Sequence, residues 1–403
     1  MGAMNQLMKA VINLSKAKYL LDENDYQQYK ELFFYSFEDA PTAAKQEFLK
    51  REYERSAVYG IKQDGQLEVS VTCVPFKVNF FGNKIKMAGI ANVMSAPEYL
   101  QNNGVTTLMN QAFSDMHQNG TALSYLGPFS FDYYRRFGYE QVFENLQITL
   151  QFSKLARYKK ATMGHLRRFK YSEAVDVIGE LFAQENTAGT VIRKSWWWKN
   201  VSLWSPDDLL AASYDELNEL NGYLRYAFED GNFVVRELNY QTPDAFLNLM
   251  HFINKHRSIY RQIIINSTDI NMQVNNFVTN PLDAKVEIKP SMMARIVDLS
   301  QFFKDYPIQL QNLQTLYLEV NDSLTWNNHI WALSVKDGVV DLKVADYETP
   351  EVIVDIQTLT KAMFGYQTLS DSYLVGNVLG NSDRIKDLDA LFIHEKAQLK
   401  DTF

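Results

Sequence analysis

Cysteine is almost missing: Cys73 is the only one in 403 residues, which excludes a disulfide framework and any Cys-based metal site and fits a reducing, cytoplasmic compartment. Long apolar runs are missing too. No window approaches the roughly 20 apolar residues of a membrane helix, and Lys9 to Leu21 is interrupted by Asn13, Lys16 and Lys18, so neither a membrane partner nor a signal peptide is expected. There is no basic surplus. A net charge of -8 argues against nucleic acid, whose phosphates need a cationic surface. His251 and His256 have no Glu or Cys at metal-site spacing, so no metal is expected, and neither a Gly-x-Ser-x-Gly elbow nor a Walker loop occurs. What remains, 46% hydrophobic and 22% charged, is a soluble globular chain too long for one core, and two or three domains are expected.

The stretch from Pro97 to Asn119 organises the rest. Val105, Leu108, Met109, Ala112, Phe113 and Met116 repeat at helical spacing and define one buried face. Ile85 to Met94, ahead of it, is apolar and β-prone, so the local order is strand, polar loop, helix. Asn102, Asn103 and Gly104 tolerate positive φ and turn successive amides toward one point before the first helical turn. A helix start of this kind attracts a phosphate. An ordinary strand-to-helix turn is the alternative. A second strand follows at 121–126, then Gly127-Pro128-Phe129-Ser130 and Tyr133-Tyr134-Arg135-Arg136-Phe137-Gly138-Tyr139.

Together, the strand, loop, helix and strand followed by this Tyr-Arg-Arg-Phe-Gly-Tyr turn resemble the GNAT acetyltransferase superfamily, specifically its Eis (enhanced intracellular survival) branch. The resemblance implies that acetyl-CoA is the acetyl donor. It puts Gln101, Asn102, Asn103, Gly104, Val105, Thr106 and Thr107 at the pyrophosphate, Val93, Met94 and Ser95 on the strand beside the pantetheine, and Phe129 and Ser130 at a second contact. This loop departs from the family form by being uncharged, one residue longer and carrying Thr106 in place of Gly or Ala.

Before that stretch, helices are expected over 25–38 and 43–54, and strands over 56–62, 66–76 and 84–94. After it, seven Lys or Arg without an acid lie between Lys154 and Lys170. They read either as a site for the 3′-phosphate of CoA or as a solvated connector. Residues 222–229 and 232–239 form an expected hairpin, followed by a helix from Thr242 to about His256 and a strand at 262–266. This order repeats that of the first region, but the loop has no glycine and carries Asp244. Trp196-Trp197-Trp198 suit core or inter-domain packing, with a substrate channel as the alternative. From about Pro290 the chain turns strand-rich, with strands at 314–320, 330–335 and 339–344, a helix at 357–365 and a mostly polar tail.

The fold class expected is α+β: tandem GNAT-like domains, each a mixed sheet with flanking helices, then a sterol carrier protein-like α+β domain, as the resemblance implies. The boundaries expected are 1–155 for the catalytic domain, 156–290 for a GNAT-like domain without a cofactor site, and 291–403 for the last domain, whose tail returns to the active site.

Acetyl transfer from a thioester needs a neutral amine, a donor for the oxyanion and an acid for the thiolate. Tyrosine suits the last role, because its usual pKa near 10 lies close to that of a thiol. By the residues alone Tyr133 and Tyr134 are equal candidates; the family motif selects Tyr134. The resemblance also makes the C-terminal carboxylate of Phe403 the base, and places Asp39, with Glu38 and Asp401 beside it, in an acidic pocket for the acceptor. The expected activity is therefore transfer from acetyl-CoA to a primary amine of a cationic acceptor (aminoglycoside-like, polyamine or lysine) by direct attack. Homo-oligomers, possibly hexamers, are implied by the same resemblance. A lipid- or sterol-binding protein, or a scaffold with degenerate GNAT domains, is the alternative.

Overall fold

The computed structural model describes residues 18–19, 23–99, 103–185 and 187–403. Gln101 and Asn102 lie outside them. Three sheets carry the chain. The first has 7 strands in the order Lys18–Tyr19, Ala57–Gln63, Gln66–Phe80, Asn83–Ser95, Leu123–Leu126, Met293–Ile296 and Glu140–Gln141. Helices Glu23–Ser36 and Ala43–Tyr53 cover one side with Tyr29, Phe33 and Leu49, and helix Gly104–Gln118 covers the other with the expected face, of which Leu108, Met109, Ala112, Phe113 and Met116 are buried. Each such side chain contributes roughly 1.5–3 kcal/mol of burial.

The strand expected to stop at Phe76 runs on to Phe80, through Pro75. Its neighbour Ala57–Gln63 ends at the Ala57–Cys73 pair and the next partner on that edge, Val191, bridges Val78, so Pro75 falls between the two and its missing N–H breaks no ladder bond.

The second sheet also has 7 strands: Ala284–Pro290, Glu144–Gln151, Gln262–Ser267, Asn232–Tyr240, Leu220–Glu229, Leu209–Tyr214 and His165–Lys170. Its antiparallel hairpin, helix Pro243–Asn254 and parallel Phe233–Ile263 pairing repeat the plan of the first sheet. Sheet membership crosses the linear boundaries expected at 155 and 290. Glu144–Gln151 pairs between two strands of the second sheet, and Met293–Ile296 is inserted between Leu123–Leu126 and Glu140–Gln141 of the first. Both transferred strands alternate or run apolar toward their adopted cores, with Leu146, Ile148 and Leu150 in one and Met293 in the other. The basic run from Lys154 contributes an edge strand, His165–Lys170, and Lys154 pairs with Asp283 at 3.3 Å.

The third sheet, with 5 strands, comprises Val339–Val344, Ile330–Lys336, Leu313–Asn321, Val352–Asp355 and Val378–Gly380. Its apolar face is filled. Leu316, Leu318 and Phe364 share a core with Phe80 and Tyr125 of the first sheet. The mostly polar tail expected after 365 is instead structured, with helices Leu369–Leu374 and Ser382–Asp389 and with Leu391, Phe392, Ala397 and Leu399 buried. These apolar residues are too sparse for a periodic signal, yet each lands on the shared core.

Candidate active site

Parallel pairing between Asn83–Ser95 and Leu123–Leu126 runs from Met87–Leu123 to Ile90–Leu126 and ends there, while the longer strand continues to Ser95. A bulge marks the place. Thr72 pairs with Ala91 but Ser70 with Met94, so two residues, Asn92 and Val93, oppose Val71, and Asn92 takes a φ of 47°. Beyond Ile90 the backbone of Val93 to Ser95 thus has no strand on that side among the described residues. Met94 sends its side chain into the core with Tyr29 and Phe33, which leaves only its backbone for a ligand, whereas Val93 and Ser95 are half-buried.

At the head of Gly104–Gln118, Asn103 has a φ of 53° and its side chain makes no capping hydrogen bond. Among the described residues the first-turn amides of Gly104, Val105 and Thr106 have no partner, and the helix dipole favours an anion there. Glycine is required at 104 because a Cβ there would stand 2.7 Å from Val69 and 3.1 Å from the Tyr99 ring. Thr107 turns its hydroxyl back onto the Asn103 carbonyl at 3.2 Å. The matching helix of the second domain is closed: Thr242 Oγ1 accepts from the Ala245 N–H at 3.2 Å, and Asp244 sits in the first turn. An open helix start, a glycine cradle and a strand edge past Ile90 fit the diphosphate and amide-bearing arm of acetyl-CoA.

Helix Phe131–Arg135 presents the two tyrosines differently. Ser130 caps it by accepting from the Tyr133 N–H at 3.3 Å. Tyr134 is buried against Phe129, Phe137 and Tyr139, and burial pushes its phenol well above the usual value, so it stays a neutral proton donor. Tyr133 lies outside it under the Arg136 guanidinium, 3.9 Å from the ring centre. Phe129 is 74% exposed. Gly138, in the same motif, has a φ of 79°, and a Cβ there would meet the Arg295 guanidinium at 2.7 Å. Arg295 comes from the inserted strand, is fully buried and binds both oxygens of Asp322 at 2.6 Å.

The chain end returns to this place. The Gln398 N–H donates to the Ala188 carbonyl (2.7 Å), Lys400 pairs with Glu185, and Asp401 Oδ1 accepts from Arg193 Nε and Trp197 Nε1, both at 2.8 Å. Arg193 is wholly buried. Burial opposes its charge, but Asp401, Tyr171 and Glu237 outweigh that and hold the guanidinium charged. The Phe403 ring then lies against Phe76 and Trp197, with centroids at 5.2 and 6.3 Å, and directly over Gly89. A Cβ on Gly127, the residue after the end of Leu123–Leu126, would lie 3.6 Å from the Phe403 backbone oxygen. The Phe403 backbone oxygen is therefore beside the point where the two strands stop pairing.

A cavity of about 240 Å³ opens here, between helix Ala43–Tyr53, helix Ser195–Trp204 and the tail; Phe48, Glu52, Asn92, Trp197, Trp204 and Phe403 line it. Asp401 lines it too, and its Oδ2 is buried without a hydrogen-bond partner among the described residues. Asp39 and Glu38 do not line it. Asp39 is paired with Lys45 at the turn between the first two helices, and Glu38 is exposed. Besides Asp401, the acid that reaches the cavity is Glu52, which sequence does not single out: it sits in a charged helix segment, Lys50-Arg51-Glu52-Tyr53-Glu54, where nothing distinguishes the inward residue except its spacing from Phe48 and Leu49. Trp197 combines both readings of the triple tryptophan, packing in the core and lining the cavity.

Comparison with known proteins agrees with this geometry. Models of acetyltransferase (GNAT) domains match residues 19–142 and 189–296, and a sterol carrier protein domain matches 299–400. A probable N-acyltransferase from Enterococcus faecalis V583, a conserved protein of unknown function, is 30% identical, with 96% of this chain and 99% of that one covered and a TM-score of 0.89. A GCN5-related N-acetyltransferase from Anabaena variabilis (20% identity, 96% and 100% covered, TM-score 0.83) and Eis1 from Mycobacterium abscessus (18%, 96% and 100%, 0.79) share the fold. Curated protein sequences give no match. The chain belongs to the GNAT family and is an acetyl-CoA-dependent N-acetyltransferase. Two GNAT domains followed by a sterol carrier protein domain make up the chain, a fold it shares with Eis1. Among the described residues no helix is long and apolar enough to cross a membrane.

Proposed function

We propose that the first domain alone binds acetyl-CoA and transfers its acetyl group to a primary amine of a cationic acceptor, such as an aminoglycoside, a polyamine or a lysine side chain, by direct attack. Acetyl-CoA supplies the activated acyl group as a thioester. The open amides of Gly104 to Thr106 hold its diphosphate, with Gln101, Asn102, Asn103 and Thr107 completing the loop and Phe129 and Ser130 at the far wall. Backbone groups of Val93 to Ser95 bind along the arm and meet the oxyanion. Tyr134 keeps its proton at working pH and gives it to the departing sulfur. The Phe403 carboxylate takes the proton that the attacking ammonium must lose, and Asp401, through its free Oδ2, adds negative charge to the acceptor cavity.

The observation that carries this reading is the seating of Phe403, ring over Gly89 and carboxyl end beside Gly127, at the end of the strand pairing. The test compares protein tagged at the C-terminus with protein tagged at the N-terminus, following CoA release with a panel of amines. A C-terminal tag replaces the carboxylate by an amide and leaves the ring, so turnover is expected to fall while acetyl-CoA still binds. Equal turnover of the two forms reduces Phe403 to packing.

A further inference from the structure

We infer that Glu52, held by Asn92, is the seat that makes this enzyme select a positively charged acceptor: it binds the substrate's ammonium group inside the aromatic cavity. The inference rests on the acetyl-transfer reading above and names the acceptor's charged anchor within that site.

Glu52 is 1% exposed, yet no Lys, Arg or His among the described residues stands within ion-pair distance of it. That is an expensive arrangement. A buried carboxylate ordinarily has a cationic partner or several donors, and here one side-chain donor, Asn92 Nδ2 at 2.5 Å, accompanies it. The same amide nitrogen reaches the Tyr29 hydroxyl at 2.8 Å, which in turn bonds Thr72 Oγ1 at 2.8 Å. Asn92 is therefore fixed from behind, and it owes its inward position to the bulge and its left-handed backbone.

The cations nearby are already committed. Arg225, which lines the cavity, binds Asp208 at 2.6 Å and Glu237 at 2.9 Å; Lys400 pairs with Glu185; Arg51, one residue from Glu52, turns to Asn200 Oδ1 at 3.2 Å. Asp401 is engaged by Arg193. Glu52 is left facing Phe48, Trp197 and Trp204, whose ring faces favour a cation, and the Phe403 end of the tail. A primary ammonium satisfies these walls at once, pairing with the carboxylate and packing against the rings.

Titration adds a second mark. Burial raises the Glu52 carboxyl to about 7, with the Asn92 hydrogen bond opposing the rise, so the seat is charged above neutral pH and loses its charge below it. Behind it lie Tyr29, whose phenol burial pushes well above its usual value, and the Tyr53 ring, packed against Tyr29 with centroids 5.0 Å apart. No covalent step is assigned to Glu52.

The experiment uses the full-length protein with Glu52→Gln and Glu52→Asp. With acetyl-CoA and butylammonium as acceptor, Glu52→Gln should raise the KM for the amine on the order of tenfold to a hundredfold, leave the acetyl-CoA KM unchanged, and abolish the fall in amine KM that the wild type shows as pH rises through about 7. Glu52→Asp should recover part of the affinity. Butylammonium binding to the CoA-loaded protein, followed by calorimetry, gives a readout without turnover, with 1-pentanol as uncharged control. Acetylation by the wild type with an amine KM and pH profile unchanged in Glu52→Gln overturns the inference and leaves acetyl transfer standing. Glu52-dependent binding of butylammonium, with no amine acetylated, supports the seat and overturns the proposed acceptor reaction. Equal binding of the alcohol and the ammonium overturns the seat.

Discussion

Gly89→Ala isolates the position of the chain end. Gly89 lies in a strand paired on both sides, to Val74 and to Tyr125, and its backbone is outside the left-handed region, so alanine costs little there. Its new methyl group would nevertheless fall 2.6 Å from Cδ2 and Cε2 of Phe403 and 3.1 Å from Phe76. Ordinary contact for such a carbon is 3.4–4 Å. Phe76 is held in the core, whereas Phe403 is the last residue and half-buried, so the ring is the part that yields, by about 1 Å, and the carboxylate moves with it. A displacement of about 1 Å in a reacting group costs on the order of a hundredfold in rate. Steady-state CoA release should show that loss in kcat, with acetyl-CoA affinity by calorimetry and the melting temperature close to wild type. Wild-type kcat in Gly89→Ala, or a defect confined to acetyl-CoA binding, refutes the assignment of the chain end to the chemistry.

Tyr134→Phe should lower kcat on the order of a hundredfold without weakening acetyl-CoA; a fully active variant, or damage from Tyr133→Phe instead, would move the acid elsewhere. Arg193→Met strips the counter-charge from buried Asp401, and a loss of about 3–5 kcal/mol is expected, measured by denaturant unfolding and by new sensitivity of the tail to carboxypeptidase; unchanged stability and resistance would deny the anchor. Glu52→Gln should make folding less sensitive to alkali. Because the folded carboxyl titrates at about 7 rather than 4.5, the wild type loses stability as pH rises from about 4.5 through 7, and the variant should gain up to about 3 kcal/mol at pH 8.5 and nothing below pH 4. A pH-independent difference would show that Glu52 is not the buried acid described.

Local pattern carried much of the architecture. The face of Gly104–Gln118, the hairpin around Asp230-Gly231 and the parallel plan of both GNAT domains all lie in short-range periodicity and turn residues, and all are present. Strand exchange was not legible, because Glu144–Gln151 and Met293–Ile296 have the same alternation or apolar run whichever sheet receives them; only the assembled sheets distinguish the partners. The same limit applies to the site. The Tyr134 motif and the aromatic chain end are sequence features, and the structure brings Phe403 to the parting strands. Asp39 resembled a pocket acid by its place at a helix end, but Lys45, six residues on, neutralises it, while Glu52 acquires its exposure to the cavity from a helix that starts 143 residues later, Ser195–Trp204. Charge in sequence does not reveal which carboxylate will be left without a partner.

The strand Met293–Ile296 also sets an order of events during synthesis. Leu123–Leu126 and Glu140–Gln141 emerge early, yet the strand that joins them follows about 150 residues later, which at roughly 5–20 residues per second leaves the slot open for on the order of ten seconds. During that interval the young chain presents two unpaired strand edges flanking Tyr134, the kind of template that recruits a neighbouring nascent chain. A ribosome stalled between the two regions would hold out an acetyltransferase domain with its sheet unfinished, and a fragment cut at the first domain's end would keep that gap permanently.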